Sequence, residues 1–126
     1  MKKIINTTKA PAPVGPYNQS VSFNGVLYLS GQIALNPATG ELVMDTIEAE
    51  THQVLKNMGA VLKAAGLRYE DVIKCSVFVS DMNLYGRINA VYAEYFEEDS
   101  APARELVEVA NLPKFVNIEI SAIAGK

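Results

Sequence analysis

An apolar stripe between residues 54 and 65 constrains the fold of this chain more than any other feature of its sequence. Apolar side chains recur there at i, i+1, i+4, i+7, i+8 and i+11, in Val54, Leu55, Met58, Val61, Leu62 and Ala65. This spacing places them on one face of an α-helix, and the Gly66 that follows is typical of a helix C-terminus. Asp45, with Glu48 three residues later, predicts the N-cap and its capping-box partner. A helix with one apolar face needs a second layer to cover it.

The segments before this helix have the character of strands and turns. Prolines keep residues 10–16 extended, and a strand follows from about Tyr17 to Phe23. Asn24-Gly25 predicts a two-residue hairpin turn, because both residues accept a positive φ. The returning strand, Val26 to Ser30, is apolar at consecutive positions, which predicts that both of its faces are covered.

The segments after the helix complete an α+β pattern. Alternating side chains predict a strand from Val72 to Val79, and a second helix is expected from about Leu84 to Phe96. Two more strands are expected near residues 103–109 and 116–124. The order of hairpin, helix, strand, helix and two strands predicts an α+β domain with two helices packed on one sheet. With 126 residues and no linker or repeat, residues 1–126 are expected to form a single domain.

The residue inventory limits the chemistry that the chain can perform. His52 is the only histidine and Cys75 the only cysteine, so a Cys/His zinc site cannot be built. Cys75 alternates with apolar residues, which favours an inert buried thiol, and His52 lies at the edge of the helix stripe. No glycine loop of the phosphate-binding type occurs. We therefore expect a site without metal or cofactor that uses carboxylates, arginine, tyrosine, asparagine and backbone groups.

Charge and hydropathy exclude several classes of partner. The formal net charge is −3 at pH 7, so there is no sign of the basic face that nucleic-acid binding requires. Residues 1–9 carry charge without an apolar stretch behind them, and no apolar run approaches the roughly 20 residues that span a bilayer. We expect a cytoplasmic protein with neither a membrane nor a nucleic-acid partner.

A few polar residues in otherwise apolar segments are the functional candidates. Strand alternation places Arg104 and Leu106 on the same face of their strand. In the last strand it places Glu119 on the face opposite that of Ile118. Asn89 follows Tyr85 by one turn of the second helix. Each also has an interpretation without a function. Arg104 would pack its stem at the rim of the core with its charge in water, Glu119 would form an ion pair on an exposed sheet face, and Asn89 would cap or bridge backbone groups.

Several motifs together resemble one known family, the reactive-intermediate deaminases (RidA, once called YjgF). The motifs occur in the family's order from residue 2 to residue 124, and they are Gly15-Pro16-Tyr17-Asn18-Gln19, Ser30-Gly31-Gln32-Ile33, Ala101-Pro102-Ala103-Arg104, Glu108-Val109-Ala110, Leu112-Pro113-Lys114 and Ile118-Glu119-Ile120-Ser121-Ala122-Ile123-Ala124. The resemblance implies a chorismate-mutase-like α+β fold with a mixed, mainly antiparallel sheet, assembled as a homotrimer with active sites between subunits. It also implies hydrolysis of 2-iminobutanoate and 2-iminopropanoate to 2-oxo acids and ammonia, a metabolite-detoxifying reaction without a cofactor.

The resemblance also assigns roles to individual residues. Arg104 matches the arginine that binds the substrate carboxylate, and Glu119 matches the glutamate that positions or activates water. The residues that match the lining of the same pocket are Tyr17, Ser30, Gly31 and Asn89. The family commonly has Ser-Cys after the arginine, whereas this chain has Glu105-Leu106. That departure removes a thiol from the site, although a backbone contact at Leu106 survives it, and Glu105 should point to the sheet face opposite Arg104.

Two other functions remain open on the sequence. One is a non-catalytic trimeric module that binds 2-oxo acids or related small carboxylates for regulation. The other is a protein that protects or inhibits others through its surface, and nucleolytic or translation-inhibiting roles are also linked with the family. The net charge of −3 argues against strong contact with RNA.

Overall fold

A six-stranded sheet organises the computed structural model, which describes residues 1–126. The strands and helices, in chain order, are β1 (Lys3–Ile5), β2 (Ser20–Phe23), β3 (Val26–Gln32), α1 (Ile47–Ala64), β4 (Val72–Val79), α2 (Tyr85–Tyr92), β5 (Ala103–Glu108) and β6 (Ile118–Gly125). The strand order is β1-β2-β3-β6-β4-β5, with every neighbouring pair antiparallel except β4 and β5. The predicted α+β class, with two helices on a mixed and mainly antiparallel sheet, is confirmed. None of the helices combines the length and the apolar character needed to cross a bilayer.

The first hairpin has the predicted turn but not the predicted burial. Asn24 (φ 52°) and Gly25 (φ 79°) form the two-residue connection, and Phe23 pairs with Val26 across it. In β3, Leu27 is buried, whereas Tyr28 is 49% exposed. The expectation that both faces of this strand are covered is therefore wrong, because the helices cover only one face of the sheet in this chain.

The stripe of α1 is buried as predicted, but its N-cap is not the predicted residue. Five of the six side chains of the stripe are at most 1% exposed, and Ala65 is the exception. Gly66 ends the helix with a φ of 74°. The cap is Thr46, whose Oγ1 accepts a hydrogen bond from the Ala49 amide at 3.0 Å. The expected Asp45–Glu48 box does not form, because the Glu48 carboxylate instead pairs with Arg87 of α2 at 2.7 Å.

The remaining elements differ from the predictions mainly at their ends. β4 has the predicted bounds, but the β4–β6 register shifts near its start. Strand alternation would place Ile73 on the buried face with Cys75 and Val77, whereas Ile73 is 52% exposed. α2 ends at Tyr92 rather than Phe96, and a single turn of 3₁₀-helix over residues 82–84 precedes it. β1 is a strand that the sequence analysis missed; it adds to the sheet edge beside β2.

A buried carboxylate connects α1 to the sheet beneath it. Glu50 is fully buried, and its carboxylate accepts hydrogen bonds from the Asn117 amide (2.7 Å), the Asn117 side chain (2.9 Å) and the Ile118 amide (3.2 Å). Because β6 begins at Ile118, these bonds satisfy backbone groups where the strand starts. They fix the start of the strand that carries Glu119.

Candidate functional site

Arg104 lies on the helix-covered face of the sheet, under α2. It is the parallel partner of buried Cys75 on β4, so both side chains point toward the helices. Its Nη1 donates a hydrogen bond to Asn89 Oδ1 at 2.9 Å, and its Nη2 donates to the Tyr85 hydroxyl at 3.2 Å. The guanidinium carbon also lies 4.7 Å from the centre of the Tyr92 ring, which is a cation–π distance. Three residues of α2 therefore hold the guanidinium in place.

The charge of Arg104 is not neutralised within the chain. The other arginines, Arg68 and Arg87, each pair with a glutamate, whereas Arg104 forms no ion pair and contacts only neutral groups. Its side chain is half-buried, which weakens screening by water. An oriented guanidinium with spare N–H groups is suited to bind a carboxylate through two parallel hydrogen bonds.

The groups beneath Arg104 are buried and stay neutral. Burial raises the pKa of both the Tyr92 hydroxyl and the Cys75 thiol, and these two groups lie next to each other beneath the guanidinium. The predicted burial of Cys75 is confirmed, and a neutral thiol is a poor nucleophile. The pocket around Arg104 therefore offers positive charge without a reactive sulfur.

Glu119 lies on the opposite, open face of the sheet. It is the register partner of Phe78 on β4, whose neighbours Val77 and Val79 point into the core on the other side. Its carboxylate is half-buried against Gly31 and accepts no hydrogen bond within the chain. Burial raises its pKa, which makes the carboxylate a stronger base than an exposed glutamate.

Tyr17 and Gly31 border a small cavity on the same side as Glu119. The cavity has a volume of about 70 Å³ and includes Lys114 in its lining. Ser30 is adjacent, but its hydroxyl donates to the Asn18 carbonyl at 2.6 Å and thereby holds the loop before β2. Tyr17 is 49% exposed rather than packed into a core, so its ring is accessible.

The predicted site residues thus form two groups within one chain. Arg104, Asn89 and Leu106 lie on the helix side, where Leu106 packs against the core. Glu119 and Gly31 lie together on the open face. Glu105 points away from Arg104, as predicted, and bonds to Lys74 at 3.1 Å and to Ser76. A single chain therefore does not bring the Arg104 guanidinium and the Glu119 carboxylate into one pocket.

Three residues around these groups were not among the predicted site residues. Two of them are Tyr85 and Tyr92, whose rings, together with the Tyr85 hydroxyl, hold Arg104. The position of Tyr85 one helical turn before Asn89 was the sequence feature that could have indicated its place beside Arg104. Lys114 belongs to a turn in which it and Phe115 both have a φ of 55°, a conformation that the sequence around Pro113 did not indicate.

Comparison with known proteins assigns the chain to a family. Residues 7–126 match the family model described as endoribonuclease L-PSP. A RutC family protein from Synechocystis is 52% identical over 97% of this chain and 95% of that protein. The 2-iminobutanoate/2-iminopropanoate deaminase of Mus musculus is 46% identical over 98% of this chain and 91% of that protein. Escherichia coli TdcF, solved with bound serine, superimposes with a TM-score of 0.92 at 43% identity and covers 98% of each chain.

The fold is that of a small α+β domain, and α2 orients the guanidinium of Arg104, which has no ion-pair partner. The chain belongs to the RidA/YjgF family, which the resemblance of its motifs predicted. The family includes the imine deaminase of Mus musculus, while several other relatives carry only the general RutC name.

Proposed function

We propose that this protein is a hydrolase of C=N bonds that converts 2-iminobutanoate and 2-iminopropanoate to 2-oxo acids and ammonia. The observation that carries this proposal is the unpaired guanidinium of Arg104, oriented by Asn89 and Tyr85. The relative from Mus musculus bears the name of this activity, and TdcF was solved with an amino acid, serine, bound. Both facts favour a small carboxylate as the ligand.

The reaction needs one anchored carboxylate, one water and one base. Arg104 holds the substrate carboxylate, and Glu119 takes a proton from a water molecule as the water oxygen bonds to the imine carbon. The nitrogen receives the proton that Glu119 took and then the proton of the carbinolamine hydroxyl, so that the C–N bond breaks and ammonia leaves as the C=O bond forms. The Tyr17 hydroxyl and backbone N–H groups at Gly31 and Leu106 are the donors proposed to steady that intermediate.

A second copy of the chain completes this site in the proposal. Arg104 and Glu119 lie on opposite faces of the sheet, so the two must come from different subunits to meet at one substrate. The open face also presents Phe23, Tyr28 and Val107, each more than 40% exposed in the single chain. A homotrimer with clefts between subunits would cover these side chains and bring the two groups together.

The rate gain required of such a site is modest. Imines hydrolyse readily in water, and a thousandfold acceleration needs only about 4 kcal/mol of barrier reduction. Orientation of the substrate by Arg104 and proton transfer to Glu119 are sufficient for an effect of this size. The proposal therefore needs neither a covalent nucleophile nor a thiol at position 106.

Release of ammonia from enzymatically generated 2-iminobutanoate tests the proposal. The wild-type protein should accelerate the release over the spontaneous rate, and Arg104→Ala should abolish the gain. Arg68→Ala is the matched control, because Arg68 contacts only Glu70 at 3.6 Å on the surface. No acceleration by the wild type, or an equal rate with Arg104→Ala, contradicts the assignment.

A non-catalytic module that binds 2-oxo acids is the second candidate. The observation that favours it is that Asn89 and Tyr85 of the same chain orient the Arg104 guanidinium without any contribution from Glu119. Calorimetry with 2-oxobutanoate, run beside the ammonia assay, separates the two functions. Saturable binding that Arg104→Ala removes, without turnover, selects the binding module.

A further inference from the structure

The outer surface of α1 carries a basic groove that the imine chemistry does not use. The groove has a volume of about 480 Å³ and lies opposite the apolar stripe of the helix. Its charged residues are Lys9, Lys56 and Lys63, and no aspartate or glutamate lines it. In a chain whose net charge is −3, this is a local concentration of positive charge.

The lysines of the groove lack the partners that other basic residues of the chain have. Arg68, Lys74 and Arg87 each contact a glutamate within 4 Å, whereas none of the three groove lysines forms an ion pair. Positions three and four residues away from Lys56 and Lys63 on α1 hold no carboxylate, although such pairs commonly stabilise exposed helices. Their charges remain available to an external anion.

The floor of the groove leaves room between the two helix lysines. Lys56 and Lys63 are seven residues apart on one helix face, which corresponds to about 10 Å along the axis. Gly59 and Ala60 lie between them on the same face, so little side-chain volume separates the two ammonium groups. Thr7 also lines the groove.

Tyr69 gives the groove a fixed aromatic wall. Its hydroxyl donates to the Leu55 carbonyl at 2.7 Å and packs against Gly59, where a Cβ would collide with it. Burial raises the pKa of this hydroxyl to about 12, so the phenol adds no negative charge near neutral pH. The wall is therefore neutral, rigid and partly apolar.

We propose that the groove binds a small organic di- or triphosphate, with Lys9, Lys56 and Lys63 contacting the phosphate oxygens and Tyr69 facing the organic part. Lysine binds phosphate as a point charge, and three lysines match an anion of three or four charges. The groove volume lies within the range of small-molecule sites. This site is separate from Arg104 and Glu119, so the proposal stands independently of the imine reaction.

Calorimetric titration with ATP and with inorganic triphosphate, in magnesium-free buffer at about 50 mM salt, tests the proposal. We expect one saturable site per chain, with an affinity that falls as salt rises because the contacts are electrostatic. The double variant Lys56→Gln/Lys63→Gln should weaken ATP binding at least tenfold. The control Lys2→Gln/Lys3→Gln removes the same charge outside the groove and should change the affinity less than twofold.

Three results would overturn the assignment. They are the absence of saturable binding, an equal loss in the control variant, and binding of a short single-stranded RNA that is much tighter than that of ATP and is lost in the groove variant. The last result would identify a nucleic-acid backbone as the ligand instead of a small phosphate. Ammonia release by the groove variant should equal that of the wild type, so this test and the test of the imine reaction can fail separately.

Discussion

The carboxylate of Glu119 lies against the Cα of Gly31, in space that any other residue at position 31 would fill. A Cβ on Gly31 would stand 2.8 Å from Glu119 Cδ and 3.0 Å from Cγ, which is closer than non-bonded carbons approach. Gly31 does not have a positive φ, so its backbone conformation does not require glycine. The close approach of the carboxylate explains the glycine instead.

Gly31→Ala should therefore displace the proposed base without unfolding the protein. The colliding atoms belong to the end of a flexible side chain, so the Glu119 carboxylate can rotate away. We expect a free energy of unfolding within about 1 kcal/mol of the wild type. We also expect at least a tenfold loss of ammonia release, because proton transfer depends on the position of the base. Denaturant unfolding and the ammonia assay measure the two effects.

Gly86→Ala provides the matched control for this substitution. Gly86 lies in α2, and no heavy atom lies within 4 Å of the position that its Cβ would occupy. Gly86 is the second residue of α2, and the preference of a helix for alanine over glycine is at most about 1 kcal/mol there, so this variant should be slightly more stable and fully active. Unchanged activity in Gly31→Ala would show that the carboxylate position is not critical.

The raised pKa of Glu119 predicts a stability gain on its neutralisation. Burial raises the pKa of this carboxyl in the folded state, so the folded protein binds its proton more tightly than the unfolded chain does. Stability is therefore lost as the pH rises from the unfolded pKa through the folded pKa, and it stays lost above that point. Glu119→Gln should be more stable than the wild type at pH 7 and equally stable below about pH 4.

Thermal unfolding of both proteins across pH 3 to 8 measures this difference. Glu70→Gln is the control, since it removes one carboxylate from the exposed surface instead of the half-buried one. A Glu119→Gln variant that is less stable than the wild type at pH 7 contradicts a desolvated carboxylate. The same variant should lose ammonia release, which separates stability from function.

Local periodicity predicted those parts of the fold that depend on neighbouring residues in the chain. The stripe of α1, the turn at Asn24-Gly25 and the bounds of β4 follow from side-chain spacing and backbone preference. The predicted Asp45–Glu48 capping box of α1 was wrong because the Glu48 side chain is bound to Arg87, 39 residues away in the chain. The strand β1 has three residues and owes its pairing to β2, so nothing in its own sequence indicates it.

The sequence indicated individual candidate site residues but not how they are arranged. Family motifs indicated Arg104, Asn89 and Glu119 as candidates, and strand alternation correctly placed Glu105 opposite Arg104. Which sheet face each strand presents to the helices depends on the strand order and on the register of β4 with β5 and β6. These are long-range pairings, so the separation of Arg104 from Glu119 could be seen only in the structure.

The buried Glu50 carboxylate predicts a large structural effect far from the proposed chemistry. Glu50→Gln replaces one acceptor oxygen by an NH₂ group that faces amide donors at Asn117 and Ile118. A buried donor without an acceptor costs about 1–3 kcal/mol, and bonds to a charged acceptor are lost as well. We expect about 3 kcal/mol of destabilisation and a Tm lower by roughly 10 °C, measured by thermal unfolding. An unchanged Tm contradicts a structural role for this carboxylate.

The opposite-face positions of Arg104 and Glu119 predict complementation between two inactive variants. If each active cleft takes Arg104 from one subunit and Glu119 from its neighbour, a mixed oligomer of Arg104→Ala and Glu119→Gln subunits contains some intact clefts. For equal amounts mixed at random, about a quarter of the clefts are intact, since each of the two required residues is present half of the time. Coexpression of the two variants should therefore restore about a quarter of the wild-type ammonia release.

The matched control for complementation is Arg104→Ala coexpressed with the double variant Arg104→Ala/Glu119→Gln. No subunit in that mixture supplies a guanidinium at position 104, so it should remain inactive whatever the subunit ratio. Differently tagged subunits that copurify demonstrate that mixed oligomers form. If the first mixture forms but stays as inactive as the control, Arg104 and Glu119 do not act in a shared cleft. Since one chain holds them on opposite sheet faces, the two residues would then have to serve different functions.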